Sequence, residues 1–212
     1  MKKVIYGVLA FAALTFTACG GNETTEGSAN TEEAKAEEVV AETYTLNSEA
    51  STLNWKGSWV GGENDGNTHN GVVNISSGTV TKTGDNYEGS FTVDMTTIDV
   101  QDIDEASGKP KLEGHLASED FFNVETYSNV DVKLTQIVDG NATIEIAFLG
   151  LTLNENVPVT VSASDDKLTI AGDFSVDFAE AGLPGMQANP EKPEQGNVSS
   201  VIEFNLNAEL TK

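Results

Sequence analysis

From Thr43 to Lys212, apolar residues recur at every second position in runs broken by Gly, Asn and Asp, and this period constrains the fold more than any other feature of the chain. Successive side chains of a strand point to opposite faces, so a two-residue period sets one face on a core and the other in water. Leu53, Trp55, Gly57 and Trp59 form one such face, and Tyr87, Gly89, Phe91, Val93 and Met95 a second. Val130, Val132 and Leu134 form a third. Ile144, Ile146 and Phe148 follow Asp139-Gly140-Asn141, a hairpin signal, and Val157, Val159 and Val161 precede another at Asp165-Asp166. Leu168, Ile170, Gly172, Phe174 and Val176, then Ile202, Phe204, Leu206, Ala208 and Leu210, complete the series. Val73 and Ile75 lead to a turn expected at Ser77-Gly78, with Val80 beyond it. The spacing predicts eight or nine strands without a repeat of fixed period.

Short turns between regular strands, with little helix, describe an all-β antiparallel sandwich or barrel. Two stretches break the pattern. Pro110 to Asn123 has helical or single-turn character, with Ser118 as a candidate cap before Glu119-Asp120-Phe121-Phe122, and Leu183 to Asn197 reads as a long Gly, Pro and Asn loop. Both are long enough to be lids. A barrel of this size either fills its interior with side chains or encloses an apolar ligand, and periodicity leaves both outcomes open.

The N-terminus reads as an address. Met1, Lys2 and Lys3 precede an apolar run from Val4 to Phe16, which is shorter than the roughly 20 residues a spanning helix needs and matches a secretory signal. Phe16-Thr17-Ala18-Cys19 resembles a bacterial lipobox, which implies diacylation of the Cys19 thiol and cleavage before it. Several acyl chains, at about 0.8 kcal/mol per buried CH₂, would hold the chain on a membrane without help from basic residues. Gly20 to Glu42 carries seven Glu and one Lys, with no aromatic residue and no Leu, and is expected to be a flexible acidic tether. The expected organisation is a signal peptide over 1–18, a lipidated Cys and acidic linker over 19–42, and one β-domain over 43–211. The corresponding location is the bacterial cell envelope, on the outer membrane or facing the periplasm.

Composition removes several functions. Acidic residues number 34 against 11 basic ones, all Lys, for a net charge of -23, so the chain lacks the basic face a nucleic-acid partner requires. One Cys allows no intrachain disulfide and no Cys-cluster zinc site, and two His leave little for an imidazole-rich centre. Asp99, Asp102, Asp104 and Glu105 make the densest acidic group, but no Asp-x-Asp-x-Asp-Gly loop with a distal Glu is present, and solvated charge is the better reading. His115 lies near Glu113, Ser118, Glu119 and Asp120 without the Gly-x-Ser-x-Gly elbow of a hydrolase. It is expected to hydrogen-bond backbone and fix a short helix over the barrel end. His69, in a Gly- and Asn-rich stretch, is expected to be a solvated loop residue. No catalytic or metal-binding residues are assigned.

The segment Gly114-His115-Leu116-Ala117-Ser118-Glu119-Asp120-Phe121-Phe122-Asn123-Val124-Glu125-Thr126-Tyr127 resembles the signature of the YceI-like family of polyisoprenoid-binding proteins. Val93-Asp94-Met95-Thr96-Thr97-Ile98-Asp99 upstream, Phe148-Leu149-Gly150-Leu151-Thr152 downstream, and Ala181-Gly182-Leu183 are similar to flanking parts of that family. The resemblance implies a lipocalin-like antiparallel barrel of about eight strands with one short helical segment. It also implies an elongated apolar cavity for an isoprenoid tail, and no catalysis. Where members often carry an Arg-Asp pair before the His-Leu, this chain has Leu112-Glu113, and it contains no Arg at all. Arg supplies the bidentate donors that recognise phosphate, so a neutral head group such as a quinone is favoured over a pyrophosphate.

Candidate ligand-contact residues follow from the apolar faces. Trp55, Trp59, Phe91, Ile146, Phe148, Phe174 and Phe204 lie on predicted strand faces, while Phe121 and Phe122 are expected to close one end. The partners expected are a long apolar lipid in the barrel and a membrane reached through Cys19. The alternative is a filled barrel serving as a structural or protein-interaction module on the envelope.

Overall fold

The computed structural model describes residues 40–212. Cys19 and nearly all of the acidic linker lie outside these residues. The elements, in chain order, are β1 (Ala41–Leu46), β2 (Thr52–Val60), β3 (Thr68–Thr83), β4 (Asn86–Val100), α1 (Lys109–Ala117), β5 (Asn129–Val138) and β6 (Asn141–Phe148). They continue with β7 (Leu151–Pro158), β8 (Thr160–Ala163), β9 (Lys167–Asp177), β10 (Asn197–Val198) and β11 (Val201–Thr211), with three short 3₁₀ turns between β9 and β10.

The strands form one antiparallel ring. β2 pairs with β3, and β3, β4, β5, β6 and β7 pair in succession. The chain then turns at Val159 into β8, which pairs with β9, and β9 pairs with β11, which returns to β2. β1 occupies the same slot as β2, between β11 and β3, but nearer the opposite end. Counting β1 with β2 and β7 with β8 gives an eight-staved, lipocalin-like barrel, in which β7 pairs only with β6 and residues 172–177 of β9 pair only with β11, so the seam between these two staves is joined by strand pairing only through β8. The corner between β7 and β8 depends on Gly172 of β9, where a Cβ would overlap the Pro158 carbonyl.

The expected turn at Ser77-Gly78 is absent. β3 runs unbroken through it, with a bulge between Ile75 and Ser77 that reverses which parity faces inward. That is why Val73 and Ile75 share the interior with Val80 although their numbers differ in parity. The actual reversal is at Gly84-Asp85, between β3 and β4. Val157, Val159 and Val161 likewise do not share one strand: Val157 belongs to β7, Val161 to β8, and Val159 is the corner between them. The Asp139-Gly140 hairpin is as the sequence indicates, with φ of 49° and 74° at its two positions, the pair of positive values that a type I′ turn needs.

The tight reversals lie at one end of the barrel, apart from the Leu149-Gly150 turn between β6 and β7, and the long connections lie at the other. The first end is solidly packed by Tyr44, Val80, Leu168 and Leu210, each at most 1% exposed. The second end carries residues 61–67, the α1 segment and residues 178–200. Ser118 ends α1, its N–H and Oγ both donating to the His115 carbonyl at 3.1 and 2.7 Å, and it also caps the single turn over 119–122 as expected, its Oγ accepting the Asp120 N–H at 3.3 Å. Pro110 in the first turn, after Gly108 with φ 109°, explains the earlier start.

Candidate functional site

Beneath the long connections the barrel is hollow. A cavity of about 360 Å³ extends from α1 down to the level of Leu134, Ala142 and Ala208, within the range of small-molecule sites. Trp55, Trp59, Phe91, Ile146 and Phe148 line it from β2, β4 and β6, and Phe174 and Phe204 from β9 and β11. Phe121 and Phe122 line it from the segment after α1. All nine residues singled out from the sequence therefore face one space.

The rings form a continuous belt. Phe122 meets Phe148 edge-on at 5.9 Å, Phe148 contacts Phe178 at 4.9 Å, and Phe178 reaches Phe204 at 6.5 Å. Phe204 stacks on Phe174 at 5.7 Å. Offset and edge contacts of this kind add to burial and hold the rings in fixed orientations. Phe178 was not among the expected contacts, although it continues the alternation Phe174, Val176, Phe178 beyond the end of β9. Met186, which also lines the cavity, sits in a 3₁₀ turn where no period marks it.

Of Gly57, Gly89 and Gly172, the glycines the alternation set on apolar faces, only Gly57 leaves room: the atom nearest to a Cβ there would be Ile202 Cδ1, at 3.7 Å. A Cβ at Gly89 would overlap the Thr79 carbonyl, so that residue, like Gly172, serves close strand approach.

Polar side chains reach the cavity at its mouth, where Ser58, His69 and His115 join the lining. His69 is not a loop residue. It lies on β3 opposite Gly57, and its Nδ1 is 2.9 Å from Asp102 Oδ2. Burial pushes the Asp102 carboxyl up, but the hydrogen bonds from His69 and from the Asn70 N–H outweigh it and hold the group below its ordinary value. His115 does not bond backbone through its ring. Its Nε2 meets Asp120 Oδ2 at 3.2 Å, and the ring stands edge-on to Phe121 at 5.0 Å.

The acidic stretch after β4 is divided among separate partners. Asp99 pairs with Lys109, Asp102 with His69, and Asp104 accepts from the Ser107 N–H at 2.6 Å. Among the described residues no group of three or more His, Cys, Asp or Glu converges on one point. Lys109, the first residue of α1, also lies 3.8 Å from Glu113, and its bond to Asp99 pushes its pKa above the ordinary lysine value. Glu113 in turn accepts the Val100 N–H at 3.0 Å, so this network ties α1 to β4 and leaves Lys109 spoken for.

An antiparallel eight-staved barrel, packed at one end and hollow and aromatic at the other, defines a lipocalin-like protein. The sequence matches the YceI-like domain over residues 44–210, and the chain belongs to the YceI-like family. No curated protein sequence matches it. Among solved structures it is similar to BcnA of Burkholderia cenocepacia, with a TM-score of 0.57 at 15% identity over 77% of this chain and 98% of that one. It is also similar to a polyisoprenoid binding domain from Saccharophagus degradans implicated in plant cell wall breakdown, with a TM-score of 0.57 at 14% identity over 79% and 97% of the two chains. At these identities the likeness concerns the fold.

Proposed function

We propose that this chain is a lipid-anchored envelope protein whose barrel binds a polyisoprenoid or another long apolar lipid. The observation that carries the reading is the cavity: a hollow about 360 Å³ in volume, lined almost wholly by aliphatic and aromatic side chains. Water gains little from such a surface, whereas each CH₂ moved into it contributes about 0.8 kcal/mol. Membership of the YceI-like family, and the fold shared with a domain described as polyisoprenoid binding, support the same ligand class. The function is binding rather than catalysis. Anchoring through Cys19, and with it the envelope location, rests on the lipobox-like sequence.

The hollow favours this reading over a filled barrel acting only as an interaction module. Native mass spectrometry and solvent extraction of the purified chain test the choice. A co-purifying long-chain lipid, or uptake of one by delipidated protein, is expected. Protein that arrives empty and takes up no prenyl chain would overturn the reading.

A further inference from the structure

The apolar wall accounts for a lipid tail but not for the choice of head group, and the mouth offers few groups to make that choice. Lys109 is engaged by Asp99 and Glu113, Lys111 of α1 is exposed and is not part of the cavity lining, and the chain has no Arg. His115, like His69, gives one ring nitrogen to a carboxylate, that of Asp120, but its ring is packed edge-on against Phe121 at 5.0 Å. His69 is placed differently. It is the register partner of Gly57, where the missing side chain opens space beside the imidazole on the inward face.

The hydrogen bonding of His69 sets the tautomer of its ring. An ionised carboxylate only accepts, so the Nδ1 that faces Asp102 Oδ2 carries the proton. In the neutral ring Nε2 is then a bare acceptor, and among the described residues it has no hydrogen-bond partner. A quinone, an ether or an ionised phosphate offers that nitrogen only another acceptor. A hydroxyl offers it a donor.

We propose that His69 is the head-group contact of the cavity, and that it selects a lipid ending in a hydroxyl, such as a prenol or a quinol, by accepting the O–H at Nε2. This deepens the lipid-binding reading and rests on it. The negative charge of Asp102 behind the ring also works against an anionic head. A quinol is preferred over its quinone, so the site discriminates the redox state of a carried ring without performing redox chemistry.

The test uses delipidated full-length chain at about pH 8, above the ordinary imidazole range, with geranylgeraniol, its methyl ether and geranylgeranyl diphosphate as probes. Quenching of Trp55 and Trp59, which line the cavity, reports binding. The alcohol is expected to bind about five- to tenfold more tightly than the ether, the worth of one hydrogen bond. His69→Phe should lower alcohol affinity to that of the ether and leave the ether unchanged. Asp102→Asn provides an independent arm that keeps the imidazole. The Asn70 N–H, 3.3 Å from Asp102 Oδ1, holds the new amide's oxygen and turns its NH₂ toward Nδ1. The proton then moves to Nε2, and ether affinity should rise to that of the alcohol. Equal affinity of wild type for alcohol and ether, tightest binding of the diphosphate, or a preference that survives both substitutions would overturn the head-group assignment alone. Failure of all three probes to bind would overturn the lipid-binding reading and this inference with it.

Discussion

Phe121 rests on Gly185 so closely that a Cβ at position 185 would overlap the ring, and the Gly185 N–H donates to the Asp120 carbonyl at 2.8 Å. This contact joins the segment after α1 to the 3₁₀ turn Pro184–Met186, so the two coverings of the cavity are fastened to each other as well as to the barrel. Gly185→Ala is expected to force the ring aside and destabilise the fold by about 1–3 kcal/mol, the usual cost of overpacking. Urea unfolding measures it, and an unchanged midpoint would mean that the two coverings are not fastened there.

Truncation of the same ring probes the opposite effect. Phe121 is 5% exposed, and Phe121→Ala should cost about 3–5 kcal/mol through lost burial and the cavity left behind. Phe122, only partly buried beside the existing hollow, should cost less. Losses near zero at both positions in the same denaturation experiment would show that the segment is a detached surface loop.

A carboxylate in the aromatic belt should abolish lipid retention. Phe174 is partly buried and stacked on Phe204, and Phe174→Glu puts an unpaired charge against apolar walls, which costs several kcal/mol or admits water. Retention is read by extraction of the purified variant, with circular dichroism to establish that the barrel remains folded. In wild type, affinity for geranylgeraniol should change little between low and high salt, because apolar burial is not screened. A folded variant that keeps its lipid, or a steep salt dependence, would contradict this account.

Acid stability depends in part on Asp177 at the end of β9. A hydrogen bond from the Ser200 side chain, and then one from the Ala179 N–H at 2.9 Å, hold its carboxyl below the ordinary value of 3.8. With the folded value depressed, the contribution is complete above the unfolded pKa and disappears as pH falls through the lower folded one. Asp177→Asn should therefore flatten the fall of the urea midpoint between about pH 5 and pH 2. An equally steep fall in the variant would show that this cap carries none of it.

The anchor is tested at the only thiol. Cys19→Ser should leave the barrel folded and move the protein from membrane to soluble fractions, as loss of the acyl chains removes the attachment. Unchanged membrane association would refute the proposed lipidation.

The strands and most of the cavity wall were legible because a strand's side-chain period is local. Trp55, Phe91, Phe148 and Phe174 could be assigned to one interior without knowledge of which strands were neighbours. That logic fails wherever the register slips. The bulge after Ile75 changes parity within β3, and only its pairing with β4 reveals this, so an unbroken strand looked like two strands and a turn. The corner at Val159 is similar, since Pro158 marks a break in the alternation but not that the chain leaves β6, the partner of β7, to pair as β8 with β9.

What alternation and turn chemistry in the sequence determined is the all-β class, the inward set of residues and eight or nine strands in a sandwich or barrel, because both act over a few neighbouring residues; the choice of a barrel came from the resemblance to the YceI-like family. Tertiary structure alone decided that the barrel is packed at one end and hollow at the other. That outcome depends on summed volumes from strands far apart in the chain. The role of His69 was hidden for the same reason. Its sequence neighbours are Gly, Asn and Thr, whereas closure of the barrel sets it across from Gly57 and lays Asp102 against its ring. A pairing between residues 33 positions apart leaves no periodic trace, and it is this pairing that turns a plain loop-like histidine into an oriented hydrogen-bond acceptor.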